Sequence, residues 1–203
     1  MKRRLGVVWL RAQAVTLLAL GCRRAALARM DAMLVLLPDD LHAMASQAHL
    51  RAALGDTAAA IDAYEALTRT HPRSYAAWFN LAFLLESSGH WGAAENAFRR
   101  AIALEPCTDR AWYGLGLVLI RQRRLDEAVV ALTRTTELQP MSPFGWYQLA
   151  RVQHERRQPE ATRDIIRNLW AFEPKVAVQL ERDTGLKRAS DCAMSVPKAM
   201  SWP

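Results

Sequence analysis

Apolar and small residues recur along the chain at helical spacing, in paired stripes separated by a short break. In residues 75–108 the first stripe opens at Trp78, Gly89 interrupts the pattern, and Pro106 closes the second stripe. Glycine and proline at such positions are typical of turns and helix ends. The apolar positions of the two stripes are Trp78, Leu81, Ala82, Leu85, Trp91, Ala94, Phe98, Ala101 and Leu104. The pattern predicts two amphipathic helices joined by a tight turn, with these side chains in the core between them.

The same unit recurs every 34 residues, as the positions of the closing prolines indicate. They are Pro38, Pro72, Pro106, Pro140 and Pro174. A fixed period of this length is typical of repeat architectures, in which each unit buries its apolar face against the next. The pattern therefore predicts an all-α array of about five helix–turn–helix units. Their boundaries are 7–40, 41–74, 75–108, 109–142 and 143–176.

The segments outside the five units receive separate predictions. Residues 1–6 form a basic N-terminal segment. Residues 177–188 form a short capping helix, because the open end of an array needs a polar-backed element over its last apolar face. Residues 189–203 mix Ser, Ala, Met, Lys and Pro without periodicity, which predicts a flexible tail.

The first helix leaves two interpretations open. A basic start followed by an apolar run over residues 5–21 is typical of a targeting segment or a membrane anchor. The repeat register favours a divergent first repeat instead, because Pro38 lies one period before Pro72. Arg11 also opposes a spanning helix, since an arginine at the membrane centre costs about 2.5–3.5 kcal/mol on insertion scales.

The repeated marks resemble the tetratricopeptide repeat, in which Trp-x-x-Leu-Gly/Ala opens the first helix, Ala-x-x-x-Phe lies in the second, and a proline closes the unit. Trp78, Trp112 and Trp146 hold the opening position here. The fifth unit departs from the family pattern, with Arg157 in place of glycine and Thr162 in place of alanine. The resemblance implies a right-handed superhelical α-solenoid that acts as a scaffold and is not an enzyme.

Charge and candidate chemistry narrow the functional classes. The net charge of +7 is confined to residues 1–30, which hold seven basic and no acidic side chains, so the body is neutral and lacks the excess of a nucleic-acid binder. Three scattered cysteines, with no Cys-x-x-Cys pair, favour a reducing compartment. The sequence contains no glycine-rich phosphate loop and no His-Glu-x-x-His motif. We therefore expect no catalytic residues, no metal and no cofactor.

The resemblance also implies where a partner binds, because the first helix of each unit in such arrays lines a concave groove. The corresponding side chains here are mostly aromatic, basic or amide groups that the repeat core does not need. They are Phe79, Asn80, Phe83, Arg110, Tyr113, Leu117, Arg121, Tyr147, Gln148, Arg151 and His154, with the acidic Glu86 on the third unit and His42 and His49 on the second. Rings and guanidinium groups of this kind suit a peptide or a protein surface.

The resulting functional prediction is a cytoplasmic scaffold or adaptor whose partner is another protein or a peptide. Nucleic acid is not an expected partner, and a membrane enters only through the N-terminal segment. Two alternatives stay open. One is a membrane-attached assembly or biogenesis factor that uses residues 5–21 as its anchor, and the other is a regulatory subunit that recruits an enzyme.

Overall fold

A computed structural model describes residues 2–187, which contain eleven α-helices and no strand. The chain divides into two compact units, Met1–Gln122 and Arg123–Pro203. The helices of the first unit are α1 Lys2–Ala19, α2 Arg23–Leu36, α3 Leu41–Ala53, α4 Thr57–Thr70, α5 Tyr75–Ser87, α6 Trp91–Leu104 and α7 Asp109–Arg121. Those of the second unit are α8 Leu125–Leu138, α9 Pro143–Glu155, α10 Pro159–Phe172 and α11 Pro174–Thr184. The predicted all-α fold of helix–turn–helix repeats is confirmed.

Within each unit, every helix packs against the next helix in the chain. Small side chains line the buried sides of the helices: Ala82, Ala94 and Ala101 are fully buried in the third repeat. The larger Phe98 is only 2% exposed and lies against Phe79 and Gly114. Alternation of small and large side chains at helical spacing allows the two helices to approach closely without leaving a void.

The turn inside each hairpin requires a left-handed backbone. Gly21, Gly55 and Gly89 adopt φ values of 74°, 84° and 79° in the first three repeats. Arg123 and Arg157 take the same conformation in the fourth and fifth repeats, with φ values of 64° and 58°. A side chain in this region costs roughly 1–2 kcal/mol relative to the right-handed one. The later turns therefore keep the shape of the earlier ones at an energetic cost.

The tryptophan that opens a repeat is bonded to the proline that closes the preceding one. The indole N–H of Trp78 donates to the carbonyl oxygen of Pro72 at 2.9 Å. Trp112 and Pro106 make the same bond at 2.9 Å. Trp146 repeats it with Pro140 at 2.8 Å. The two residue types that mark the repeat in the sequence are thus one structural element, which joins neighbouring hairpins.

The first two helices form a hairpin, in which α1 buries one side against α2. The core here is continuous with that of α3 and consists of Val7, Ala14, Ala26, Met30, Met33, Ala43 and Leu50. Helix α1 begins at Lys2, so it takes in most of the basic segment assigned to residues 1–6. Lysine and arginine are good helix formers, which explains the early start. Among residues 2–187, no helix is both long enough and apolar enough to span a bilayer.

Two further details differ from the sequence-based expectation. Trp91, expected in the core, is 41% exposed at the first residue of α6, so that prediction was wrong. The capping helix occupies Pro174–Thr184 instead of residues 177–188, because Pro174 fits the first turn of a helix, where a missing N–H is harmless. The tail assigned to residues 189–203 lies outside the described part of the chain.

Candidate partner-binding site

Helix α7 carries four of the predicted groove residues in one row. Arg110, Tyr113, Leu117 and Arg121 follow one another at three- and four-residue steps and so share a face of the helix. The two arginines are exposed, and the tyrosine and leucine between them are half-buried. Neither arginine forms an ion pair with any residue of the described chain. The α-carbons of the two arginines lie about 16 Å apart along the axis, at about 1.5 Å per residue.

Phe79, one of the predicted groove residues of α5, also packs inside the protein. Phe79 stacks on Tyr75 with ring centroids 5.8 Å apart. It also meets the edge of Phe98 at 6.1 Å, so only part of its ring is open to a partner. Phe83, one turn further along α5, is 58% exposed. The phenylalanine that offers most of its surface is therefore Phe83.

Asn80 lies at an open cleft of about 460 Å³ on the same unit. Its side chain is hydrogen-bonded to the hydroxyl of Tyr64, whose pKa is raised because the ring is buried, an effect that the bond to Asn80 partly offsets. Polar side chains from three helices surround the opening: Arg23, Ser46, His49 and Asn80. The floor is apolar and includes Leu50 and Leu67. Arg23 and His49 are exposed, and no acidic side chain lines the cleft.

The groove residues of the second unit lie on α9. Tyr147, Arg151 and His154 share one face, with Gln148 beside it. The hydroxyl of Tyr147 donates to Oδ2 of Asp183 on α11 at 2.9 Å. That hydrogen bond, burial and the negative charge of Asp183 raise the pKa of Tyr147. The guanidinium of Arg151 lies 5.8 Å from the centroid of the Tyr147 ring.

Asp183 is the residue of this region that sequence reasoning missed. Helix α11 packs against both α9 and α10, which brings Asp183 to Tyr147. Gln179, one turn earlier, donates to the other carboxylate oxygen of Asp183 at 2.7 Å. The sequence carries no signal for this contact, because the acid lies in a segment without the repeat pattern. In the second unit, Arg151 and His154 are the exposed groove residues.

No candidate for metal binding emerges from the described residues, since nowhere do three His, Cys, Asp or Glu side chains cluster suitably. Cys22 and Cys107 are free, exposed thiols. The predicted groove residues of each unit are thus mostly rings, guanidinium groups and amides, groups that are able to bind other molecules by stacking, charge and hydrogen bonding.

Comparison with known families identifies the class of protein. Two tetratricopeptide repeat models match, one over residues 51–106 and the other over residues 84–143. Together these spans run from the end of α3 to the start of α9 and include the Trp78–Pro72 and Trp112–Pro106 pairs. Residues 51–143 are therefore tetratricopeptide repeats, and helical hairpins of this family form a scaffold for protein interactions. No curated protein matches the sequence.

Solved structures share the fold at low sequence identity. MamA from Desulfovibrio magneticus is 17% identical, with a TM-score of 0.74 over 88% of this chain and 96% of that one. YrrB, described as a tetratricopeptide repeat protein with an unusual peptide-binding site, is 19% identical, with a TM-score of 0.74 over 83% and 88%. A tetratricopeptide repeat protein from Parabacteroides merdae is 16% identical, with a TM-score of 0.78 over 89% and 74%. At these identities the likeness concerns the fold alone.

Proposed function

We propose that the protein is a non-enzymatic scaffold that binds a peptide or protein surface on the first helices of its repeats. The observation that carries the proposal is the row on α7, where Tyr113 and Leu117 lie between Arg110 and Arg121. Arg110 and Arg121 are both exposed, form no ion pair within the described chain, and lie on the same side of α7 as an aromatic and an aliphatic side chain. Arginine binds carboxylates through two parallel hydrogen bonds. The partner segment is therefore acidic, with an apolar residue between its acids.

Neighbouring side chains extend the same chemistry along the first unit. Phe83 on α5 is 58% exposed and supplies an aromatic surface. The cleft beside Asn80 adds Arg23 and His49 and no acid. Aromatic and arginine side chains carry much of the binding energy at protein interfaces. YrrB, a protein of this fold described as having a peptide-binding site, is a precedent for peptide recognition.

The same reasoning sets the expected partners and location. The charges balance outside residues 1–30, which favours a protein partner over nucleic acid. A cytoplasmic location suits the three scattered cysteines. The chain would assemble or position its partners, including an enzyme that it recruits, and would itself perform no catalysis. Membrane attachment through residues 5–21 is the second candidate, favoured by the exposed apolar residues Val8 and Trp9 of α1.

The test is selection from a displayed peptide library, followed by binding of the selected peptides to variants. We expect the peptides to be enriched in Asp and Glu and to lose most of their affinity for the double variant Tyr113→Ala, Arg121→Ala. The matched control is Trp91→Ala, Arg100→Ala, which removes an exposed aromatic and an exposed arginine from α6. Peptides that bind the α7 double variant as tightly as the wild type would refute the assignment of the site to α7.

A further inference from the structure

Helix α1 is apolar on two opposite sides, and its packing accounts for only one of them. Val7, Leu10, Ala14 and Leu17 follow one another at helical spacing along the inner side. Val7 is 8% exposed and Ala14 is completely buried, because this side packs on the core formed with α2 and α3. These four side chains supply the apolar surface that packs α1 on this core.

The outer side of α1 carries a second apolar stripe that nothing within the described chain covers. Val8, Ala12, Val15 and Ala19 lie along it at steps of four, three and four residues. Val8 is 65% exposed and Val15 is 57% exposed. Trp9, at the edge of the stripe, is 62% exposed. An outer helix of an array is expected to be polar here, because this side faces solvent. We call the surface formed by Val8, Trp9, Ala12, Val15 and Ala19 the outer face of α1.

The charged residues close to this face along the chain are arginines. Among residues 6–30, whose side chains the structure describes, four are arginine and none is acidic. Arg11 is exposed on α1, and Arg23, Arg24 and Arg29 are exposed on α2. A second copy of the same face would bring these like charges together, and that repulsion opposes self-association through it. The complementary occupant is therefore negatively charged and presents an apolar layer beneath its charge.

We propose that the outer face of α1 binds the surface of an anionic membrane, with the helix lying in the plane of the interface. Acidic headgroups would meet the arginines, and the valines and Trp9 would enter the boundary between headgroups and acyl chains. Tryptophan favours that boundary, and basic amphipathic helices bind there through combined apolar and electrostatic attraction. Spanning is a different arrangement, for which no described helix is suited. The proposal rests on the second candidate of the proposed function, attachment through residues 5–21, and it is separate from the α7 site because it uses no residue of α7.

The test is co-sedimentation of the full chain with two kinds of vesicle. One contains phosphatidylcholine alone, and the other contains a quarter phosphatidylglycerol. We expect binding to the anionic vesicles that weakens as salt is raised, because the Debye length falls from about 10 Å at 0.1 M to about 3 Å at 1 M. The double variant Val8→Asp, Val15→Asp should bind roughly tenfold more weakly or worse, since it places two carboxylates in the interface.

Matched controls separate the face from general effects of charge and folding. Val130→Asp introduces the same substitution at a valine of α8 that is 66% exposed, and it should bind vesicles as the wild type does. Arg11→Gln, Arg24→Gln leaves the apolar stripe intact and should weaken binding to anionic vesicles, whereas Arg100→Gln should not. Circular dichroism checks that each variant is folded.

Several outcomes would overturn the proposal. They are absence of binding to anionic vesicles, equal binding to vesicles without phosphatidylglycerol, and undiminished binding by the Val8→Asp, Val15→Asp variant. A dimer that the same variant dissociates would assign the face to self-association instead. Retained peptide binding by that variant would separate failure here from failure of the α7 site.

Discussion

The ring of Phe98 on α6 lies against Gly114 on α7 so closely that a methyl group cannot be added at position 114. A Cβ there would lie 2.5 Å from Cε1 and 3.0 Å from Cε2 of the ring. Real Cβ atoms do not approach other atoms at the shorter of these distances, so the ring or a helix would have to move. Phe98 also contacts Phe79, which limits the movement of the ring. The spacing of α6 and α7, and with it the position of the α7 groove residues, therefore depends on this glycine.

We expect Gly114→Ala to lower the free energy of unfolding by about 1–3 kcal/mol, the usual cost of overpacking a well-filled core. Urea denaturation measures the loss. Gly92→Ala is the matched control, because a Cβ at Gly92 meets nothing within 4 Å. Alanine is the better helix former by roughly 1 kcal/mol, so the control should be neutral or more stable. Equal stability of Gly114→Ala and Gly92→Ala would mean that the Phe98 ring moves aside at no energetic cost.

Replacement of Arg157 by glycine should stabilise the protein. Its φ of 58° is strained for a side chain, and Arg157 makes no ion pair within the described residues. Relief of strain worth roughly 1–2 kcal/mol exceeds the cost of roughly 0.5–1 kcal/mol from the entropy that glycine adds to the unfolded chain, leaving a net gain of at most about 1.5 kcal/mol. Thermal unfolding at fixed protein concentration measures it. A lower melting temperature for Arg157→Gly would contradict the strain argument.

Arg123→Gly provides the comparison for Arg157→Gly. Arg123 has a similar φ of 64° but pairs with Glu155 on α9. An exposed pair contributes about 0–1 kcal/mol, so the gain from glycine should be smaller at Arg123 than at Arg157. The reverse order would show that the pair contributes nothing and that the two turns differ in another respect.

Removal of the hydrogen bond between the opening tryptophan and the closing proline should lower the free energy of unfolding measurably. Trp146→Phe keeps an aromatic ring but loses the donor to Pro140, and we expect a loss of about 0.5–1.5 kcal/mol in unfolding free energy. Trp112→Phe should cost a similar amount, since Pro106 accepts the equivalent bond. Trp91→Phe serves as the control at an exposed ring. Equal stability of all three variants would mean that water replaces the indole donor at no cost in unfolding free energy.

Stability at alkaline pH should depend on Tyr147. Its pKa is raised in the folded protein by the hydrogen bond to Asp183, so the neutral phenol is favoured there. The resulting stabilisation is complete below the unfolded tyrosine pKa of about 10 and is lost as pH rises through the higher folded value. Urea midpoints measured between about pH 8 and 11 should fall less steeply for Tyr147→Phe than for the wild type. An identical pH dependence of the two proteins would exclude a contribution from this bond.

Much of the fold could be predicted from the sequence, for a specific physical reason. Helical spacing shows which side of a helix is apolar, and the 34-residue period shows that each hairpin repeats the last. Ala82, Ala94 and Phe98 were predicted as core residues and are buried. The period cannot show how much of a side chain at the end of a helix stays exposed to solvent. For this reason the exposure of Trp91 was not predicted.

The candidate site was less accessible to sequence reasoning, because its members are shared with internal packing. Phe79 contacts Phe98, and Asn80 is bonded to Tyr64. The helical register places Phe79 and Asn80 on the first helix of a repeat but does not say whether a neighbouring side chain engages them. Arg110 and Arg121 remain exposed, so their assignment to a binding surface stays a prediction.

The sequence by itself determined the all-α class of fold, the succession of helical hairpins and the resemblance to the tetratricopeptide repeat, since these follow from local spacing. Tertiary structure alone decided that α11 brings Asp183 to Tyr147 and that α1 keeps an apolar side exposed. The physical reason is that the pattern along one helix records which side chains are apolar, whereas burial depends on which other helix arrives to cover them.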